Sequence, residues 1–131
     1  MNPIELKTRT NAFAVRVIKL VVVDKLPDSR ASNAIARQMV RSGMSVGANY
    51  RAACRAKSRA GFIAKLGIVE EECDETIYWM EWLVESGKMK LDAITGLMNE
   101  ATQILAIIVA SINTARSRGN PQSAIRNPQS K

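Results

Sequence analysis

Residues 41–87 read RSGMSVGANYRAACRAKSRAGFIAKLGIVEEECDETIYWMEWLVESG. The stretch holds the end of one long helical pattern, a short connector at Lys57-Ser58-Arg59, and the whole of a second pattern closed by Gly87. In the first pattern Ile35, Met39, Val46, Tyr50 and Ala53 fall on one narrow stripe at about 100° per residue. In the second, Phe62, Leu66, Val69, Cys73, Ile77, Met80 and Leu83 recur at threes and fours, the period of a helix that buries one face. Ser58 stands where an N-cap belongs, and Gly87 where a helix ends in the left-handed region. Each pattern is about 28 residues long, roughly 40 Å at 1.5 Å per residue. A connector this short makes the two helices antiparallel neighbours.

Outward from this pair, the same reasoning finds two more helices. Phe13, Val17, Leu20 and Val21 share a face of a first helix over about Thr8–Lys25, stopped by Leu26-Pro27-Asp28 because proline disfavours helix in the residue before it. The second helix starts at Asp28 or Ser29, either of which can cap it, and runs to about Ala56. Gly43 and Gly47 lie inside it, each costing about 1 kcal/mol against alanine, and are read as points where a neighbouring backbone comes close. The third helix covers Arg59–Ser86. The fourth starts at Asp92 as N-cap and runs to about Arg116, with Ile94, Met98, Ala101, Leu105, Ile108 and Ile112 inward. The fold class is all-α: an antiparallel up-down-up-down four-helix bundle over residues 1–118. Residues 119–131 contain Asn-Pro-Gln-Ser twice, at 120–123 and 127–130. A repeat of that composition cannot bury a core and reads as a disordered tail.

Composition narrows the function. The 131 residues suffice for one domain. There is no histidine, which removes histidine-based triads, histidine metal ligands and the Glu-x-x-His di-iron bundle. Cys54 and Cys73 lack C-x-x-C spacing and read as reduced, packing cysteines of a cytoplasmic protein. The apolar run Phe13–Val23 is broken by Arg16 and Lys19 and followed by no small-residue cleavage site, so it reads as a helix and not a signal peptide. No uninterrupted apolar run reaches the roughly 18–20 residues of a membrane span, and no membrane partner is expected. The acids Glu70, Glu71, Glu72, Asp74 and Glu75 are contiguous on a helix and so diverge. No metal, cofactor or catalytic residue is assigned, and the chain reads as not an enzyme.

The net charge is +7, and its distribution says more. Residues 1–65 hold 13 Lys/Arg against 3 Asp/Glu, whereas residues 66–100 hold 2 against 9. A basic half of this kind points to a polyanion such as RNA or DNA. Opposite the core of the second helix, Arg30, Arg37, Arg41, Arg51 and Arg55 form a stripe about 35–40 Å long. Arg37, Arg41, Arg51, Arg55, Lys57 and Arg59 are the candidate nucleic-acid contacts. Val40, Met44, Gly47 and Ala48 interrupt the stripe with small or apolar residues. Opposite the core of the third helix the acids Glu71, Asp74, Glu75, Glu81 and Glu85 are interleaved with Tyr78 and Trp82, with Trp79 at the border. Large exposed aromatics mark interfaces. Met44, Gly47, Ala48, Tyr78, Trp79 and Trp82 are therefore the candidate subunit interface. A basic face on one helix and an acidic, aromatic face on another suit head-to-tail contacts that close into a ring.

Three segments carry a family resemblance: Arg41 to Arg51 (RSGMSVGANYR), Lys57 to Ile63 (KSRAGFI) and Glu75 to Glu81 (ETIYWME). Together they resemble the four-helix-bundle proteins encoded in intervening sequences of bacterial 23S ribosomal RNA genes, over about residues 6 to 116. That family is similar to the accessory variability determinant protein of diversity-generating retroelements. The resemblance implies a closed bundle assembling as a homopentamer. For the retroelement branch it implies nucleic acid and a reverse transcriptase as partners. Two departures remove negative charge near the connector. Where many members follow the second-helix asparagine with Ile-Ala-Glu-Gly, Asn49 is followed here by Tyr50-Arg51-Ala52-Ala53, and Gly61 stands where many have an acid before the phenylalanine. The leading expectation is a non-catalytic, oligomeric nucleic-acid-binding accessory protein. The alternative is a structural or protein-interaction oligomer whose arginines are used in subunit contacts.

Overall fold

The computed structural model describes residues 1–23 and 26–119. Four helices form in order: α1 (Pro3–Val23), α2 (Arg30–Cys54), α3 (Arg59–Glu85) and α4 (Leu91–Arg118). Each packs on its sequence neighbours and α1 also meets α4, while among the described residues the diagonal pairs show no close backbone approach. That is the up-down-up-down bundle. The proposed tail lies outside the described residues, apart from Gly119.

The ends of the helices follow from local chemistry. Ser29 accepts a hydrogen bond from the Ser32 amide, and Ser58 from that of Gly61, so both hydroxyls cap as expected. Gly87 has φ 74°. α1 begins five residues before the expected Thr8. The Glu5 amide donates to Asn2 Oδ1, and Asn2 Nδ2 donates to Glu5 Oε1, both at 2.8 Å. Pro3 occupies the first helical position, where its missing N–H costs nothing. The expected Asp92 cap is corrected. The amides of Lys88 and Met89 both donate to the Leu83 carbonyl, and this tight turn tucks Met89 into the core. Lys90 is then the N-cap, without a side-chain cap, and Asp92 sits in the first turn, where a negative charge suits the helix dipole.

The core is continuous along the bundle. Leu6, Thr10, Phe13, Val17 and Leu20 are buried on α1, spaced four, three, four and three apart. All five residues of the expected α2 stripe are buried, as are Leu66, Val69, Cys73, Met80 and Leu83 on α3. Phe62, Ile77, Met98 and Leu105, expected in the core, are only partly buried against it, while Leu97 and Ile104 on α4 are buried in addition. α4 is long and apolar enough, by length and composition, to cross a membrane, and its Ile94, Ile104 and Ile108 face is part of the bundle core.

Both glycines inside α2 serve the α1–α2 crossing. A Cβ on Gly43 would lie 3.1 Å from the Val17 methyls, and one on Gly47 would lie 3.1 Å from Asn11 Oδ1 and 3.6 Å from the Thr10 backbone. Between α2 and α3, Thr76 Oγ1 lies 2.8 Å from both Ser42 Oγ and the Glu72 carbonyl. This pair of buried hydroxyls fixes the register of the two longest-packed helices. Cys54 and Cys73 are free. Cys73 donates its S–H to the Ala101 carbonyl at 3.2 Å, and burial pushes its thiol up to about 12. It packs and does not react.

The α1–α4 seam is the loosest of the four and is pinned at mid-height by one bidentate ion pair. Arg9 Nε and Nη2 donate to the two Glu100 oxygens at 2.7 Å, and Nη2 also donates to Gln103 Oε1. The Arg9 hydrogen bond holds the Glu100 carboxyl below the usual carboxylate range, with burial opposing it. A carboxylate whose folded value is depressed stabilises the fold above its unfolded value and loses that contribution as pH falls through the folded one. Glu100→Gln is therefore expected to lower the melting temperature by about 4 °C at neutral pH, for about 1 kcal/mol. The difference should begin to shrink as pH falls through about 4, the ordinary range of a free carboxyl, and vanish only below the depressed folded value. Thermal melts of both proteins from pH 3 to pH 8 check this.

Candidate functional site

Antiparallel packing sorts the charges by height. The α2–α3 connector lies at the same end as the start of α1 and the close of α4, as shown by Arg59 Nη1 donating to the Ala115 carbonyl at 3.0 Å. That end collects Lys7, Arg51, Arg55, Lys57, Arg59, Lys65, Arg116 and Arg118, all exposed. Among the described residues none of these cations is in an ion pair. The acid at this end is Glu5, which is bonded to Asn2. At the opposite end Arg16, Lys19, Arg30, Lys88 and Lys90 are mixed, among the described residues, with Asp28, Glu81, Glu85 and Asp92. The bundle thus has one basic pole.

Local structure favours cations at this pole. Arg51 lies in the last turn of α2, and Arg116 and Arg118 in that of α4. Positive charge there complements the partial negative charge of the terminal carbonyls. Lys7 and Arg51 flank a depression between α1 and α2, together with Asn11, Met44, Gly47 and Ala48. Arg59 lies across the end of α4, its Cδ close against Gly119.

Of the six candidate contacts, Arg51, Arg55, Lys57 and Arg59 are brought together at the pole. Arg37 remains exposed but lies about 27 Å up α2 from Arg55, at 1.5 Å per residue. Arg41 is engaged within the chain. Its guanidinium donates to Glu72 Oε2 at 2.9 Å and to Glu75 Oε2. Glu75 also accepts from the Trp79 indole at 3.0 Å, and this bond, together with Arg41, lowers its carboxyl against the effect of burial. Lys7, Lys65, Arg116 and Arg118 were absent from the sequence expectation. Their contribution depends on which ends of the bundle coincide, and the signal for that was the alternation of direction itself.

The candidate interface residues separate in the same way. Met44, Tyr78 and Trp82 are 49%, 48% and 45% exposed, and Ala48 is exposed as well. Tyr78 meets Trp79 and Trp82 edge-on, with ring centroids 5.0 and 6.0 Å away. Trp79 is partly buried against the core. Gly47 is buried where α2 meets α1, because it has no side chain to hold that helix off, and it floors the depression beside Met44 and Ala48. A further apolar stripe was missed. Ile4, Val15, Ile18 and Val22 are exposed on α1, and with Thr8 and Asn11 they repeat at alternating fours and threes. This face lies opposite the buried Leu6–Leu20 face, so α1 is amphipathic twice over.

Among the described residues no group of three or more His, Cys, Asp or Glu side chains converges in a way that could hold a metal ion. No curated protein matches the chain. Among solved structures, it is similar to a protein of unknown function from the S23 ribosomal protein family of Bacteroides thetaiotaomicron. The two are 33% identical with a TM-score of 0.75, over 86% of this chain and 99% of that one. The model of the 23S rRNA-intervening sequence protein family matches residues 4–110, and the chain belongs to that family.

Proposed function

We propose that this protein is a non-catalytic, ring-forming homo-oligomer whose basic poles bind RNA or DNA through phosphates. The observation that carries the reading is the pole itself: eight exposed cations at one end of the bundle and no ion pair among them within the described residues. Arginines recruited to hold the bundle together look different here. Arg9 and Arg41 are both tied to carboxylates, and the polar arginines are not. A homopentamer, as the family resemblance implies, would set five such poles in a ring and strengthen a weak single contact by avidity. A reverse transcriptase as protein partner is what the resemblance to retroelement accessory proteins would add. A cytoplasmic setting fits the two free cysteines.

The acidic, aromatic face around Tyr78 and Trp82 supports the oligomeric half of this reading. It also favours the one alternative worth keeping, an interaction oligomer that binds no nucleic acid. A salt titration separates the two. Phosphate binding is expected to weaken steeply with salt, the logarithm of affinity falling linearly by about 0.9 per phosphate neutralised on duplex DNA. It should also differ little between unrelated sequences. No binding at low salt would leave the interaction oligomer.

A further inference from the structure

We infer that the basic pole also carries a receptor for one unpaired nucleobase: the cleft between the start of α3 and the end of α4. This inference rests on the nucleic-acid reading above and gives it a strand preference. The cleft has a volume of about 450 Å³ and is lined by Phe62, Ile107, Ala110 and Ala115, with the Ser111 and Thr114 hydroxyls, Arg118 and the exposed Met1. That volume is within the range of small-ligand sites, which are mostly apolar with a few polar groups. Arg59 and Phe62 line its continuation toward the pole.

Two features select the occupant. Phe62 is partly buried against the core and lines the cleft together with small and aliphatic residues of α4, so part of an aromatic side chain is accessible there, and aromatic side chains are the surfaces on which bases stack. The rim is cationic: Arg118 and Arg59 flank the slot, and Arg59 commits one of its five N–H donors to the Ala115 carbonyl, leaving the rest for phosphates. An apolar slot with a cationic rim matches a base with its flanking phosphates in charge and in shape. The other large cleft, about 490 Å³ between α1 and α4 at the far end, has no aromatic residue and carries Asp92 beside Arg16 and Lys19. It lacks the complementarity that singles out the Phe62 slot. A paired base cannot enter such a slot, so single strands should be favoured over duplex.

The test compares a short oligothymidylate with an abasic oligomer of the same phosphate count, by fluorescence anisotropy on the full chain. An oligouridylate arm distinguishes RNA from DNA as the preferred source. The base-containing strand is expected to bind about ten-fold tighter than the abasic one. Phe62→Leu, which keeps an apolar side chain but removes the ring face, should abolish that difference and leave abasic binding unchanged. Ala110→Leu fills the slot from the exposed face of α4 without touching the core, and should do the same if Phe62→Leu proves unstable by circular dichroism. Equal wild-type affinity for both strands would overturn the cleft and leave phosphate binding intact. Binding to neither would overturn the nucleic-acid reading and the cleft with it. If Ala110→Leu changed the assembly mass by light scattering and left the base preference intact, a second copy would be the occupant and the inference would fall.

Discussion

Replacing Arg51, Arg55, Lys57 and Arg59 together by alanine is expected to lower affinity for RNA or DNA at least a hundred-fold at low salt, with the helical content unchanged. Counterion release makes each neutralised phosphate worth on the order of ten-fold at about 0.05 M salt, so the loss of up to four contacts dominates binding. The fold should survive because all four side chains are exposed and none has an ion-pair partner among the described residues. The one structural contact removed is the bond from Arg59 to the Ala115 carbonyl, worth about 1 kcal/mol at an exposed site. The slope of log affinity against log salt should flatten in the variant. A variant that binds as well as wild type would move the contact elsewhere. One that folds but dissociates into single chains would assign these arginines to the subunit interface.

The second large effect concerns assembly. Tyr78→Ala with Trp82→Ala is expected to convert the oligomer into chains of 14.4 kDa by light scattering. Half-exposed aromatics of this size commonly carry about 2 kcal/mol or more each at an interface, so the pair should raise the dissociation constant roughly a thousand-fold. Trp79 is left in place because it packs on the core and holds Glu75 beside Arg41. A variant with unchanged mass would shift attention to the apolar α1 stripe of Ile4, Val15, Ile18 and Val22. A wild-type mass of one chain would remove the ring altogether.

The bundle was legible because its strongest signals are local. Ser29, Ser58 and Gly87 mark helix ends by chemistry that needs no partner. The α2 and α3 stripes show their period without knowledge of what covers them. The start of α1 was missed although Asn2-Pro3 followed by Glu5 spells a capped helix start, and with it went Leu6 and the second apolar face. The α4 cap was missed for a different reason. Asp92 is a reasonable cap in isolation, but burial of Met89 shortened the turn and moved the boundary, and burial is a tertiary fact. The same distinction governs the site. That α2 is rich in arginine is written in the sequence. That Arg41 reaches across the surface to Glu72 and Glu75 on α3, while Arg51 and Arg55 share one end of the bundle with Lys7 and Arg118, depends on the approach of segments far apart in the chain. Phe62 shows the limit most clearly, because its spacing fits a core residue and only the packing leaves its ring at an open slot.

The most direct measurement is a lysine footprint. The protein is acetylated briefly with and without bound single-stranded nucleic acid, and each lysine is read by mass spectrometry. Lys7, Lys57 and Lys65 lie at the basic pole, whereas Lys88 and Lys90 lie at the other end of the bundle, so one sample contains both the test and its control. Strong protection of Lys7 and Lys57, with Lys88 and Lys90 modified as in the free protein, is the expected result. Equal protection at both ends, or protection at neither under conditions where binding is saturated, would contradict the assignment of the basic pole as the nucleic-acid contact.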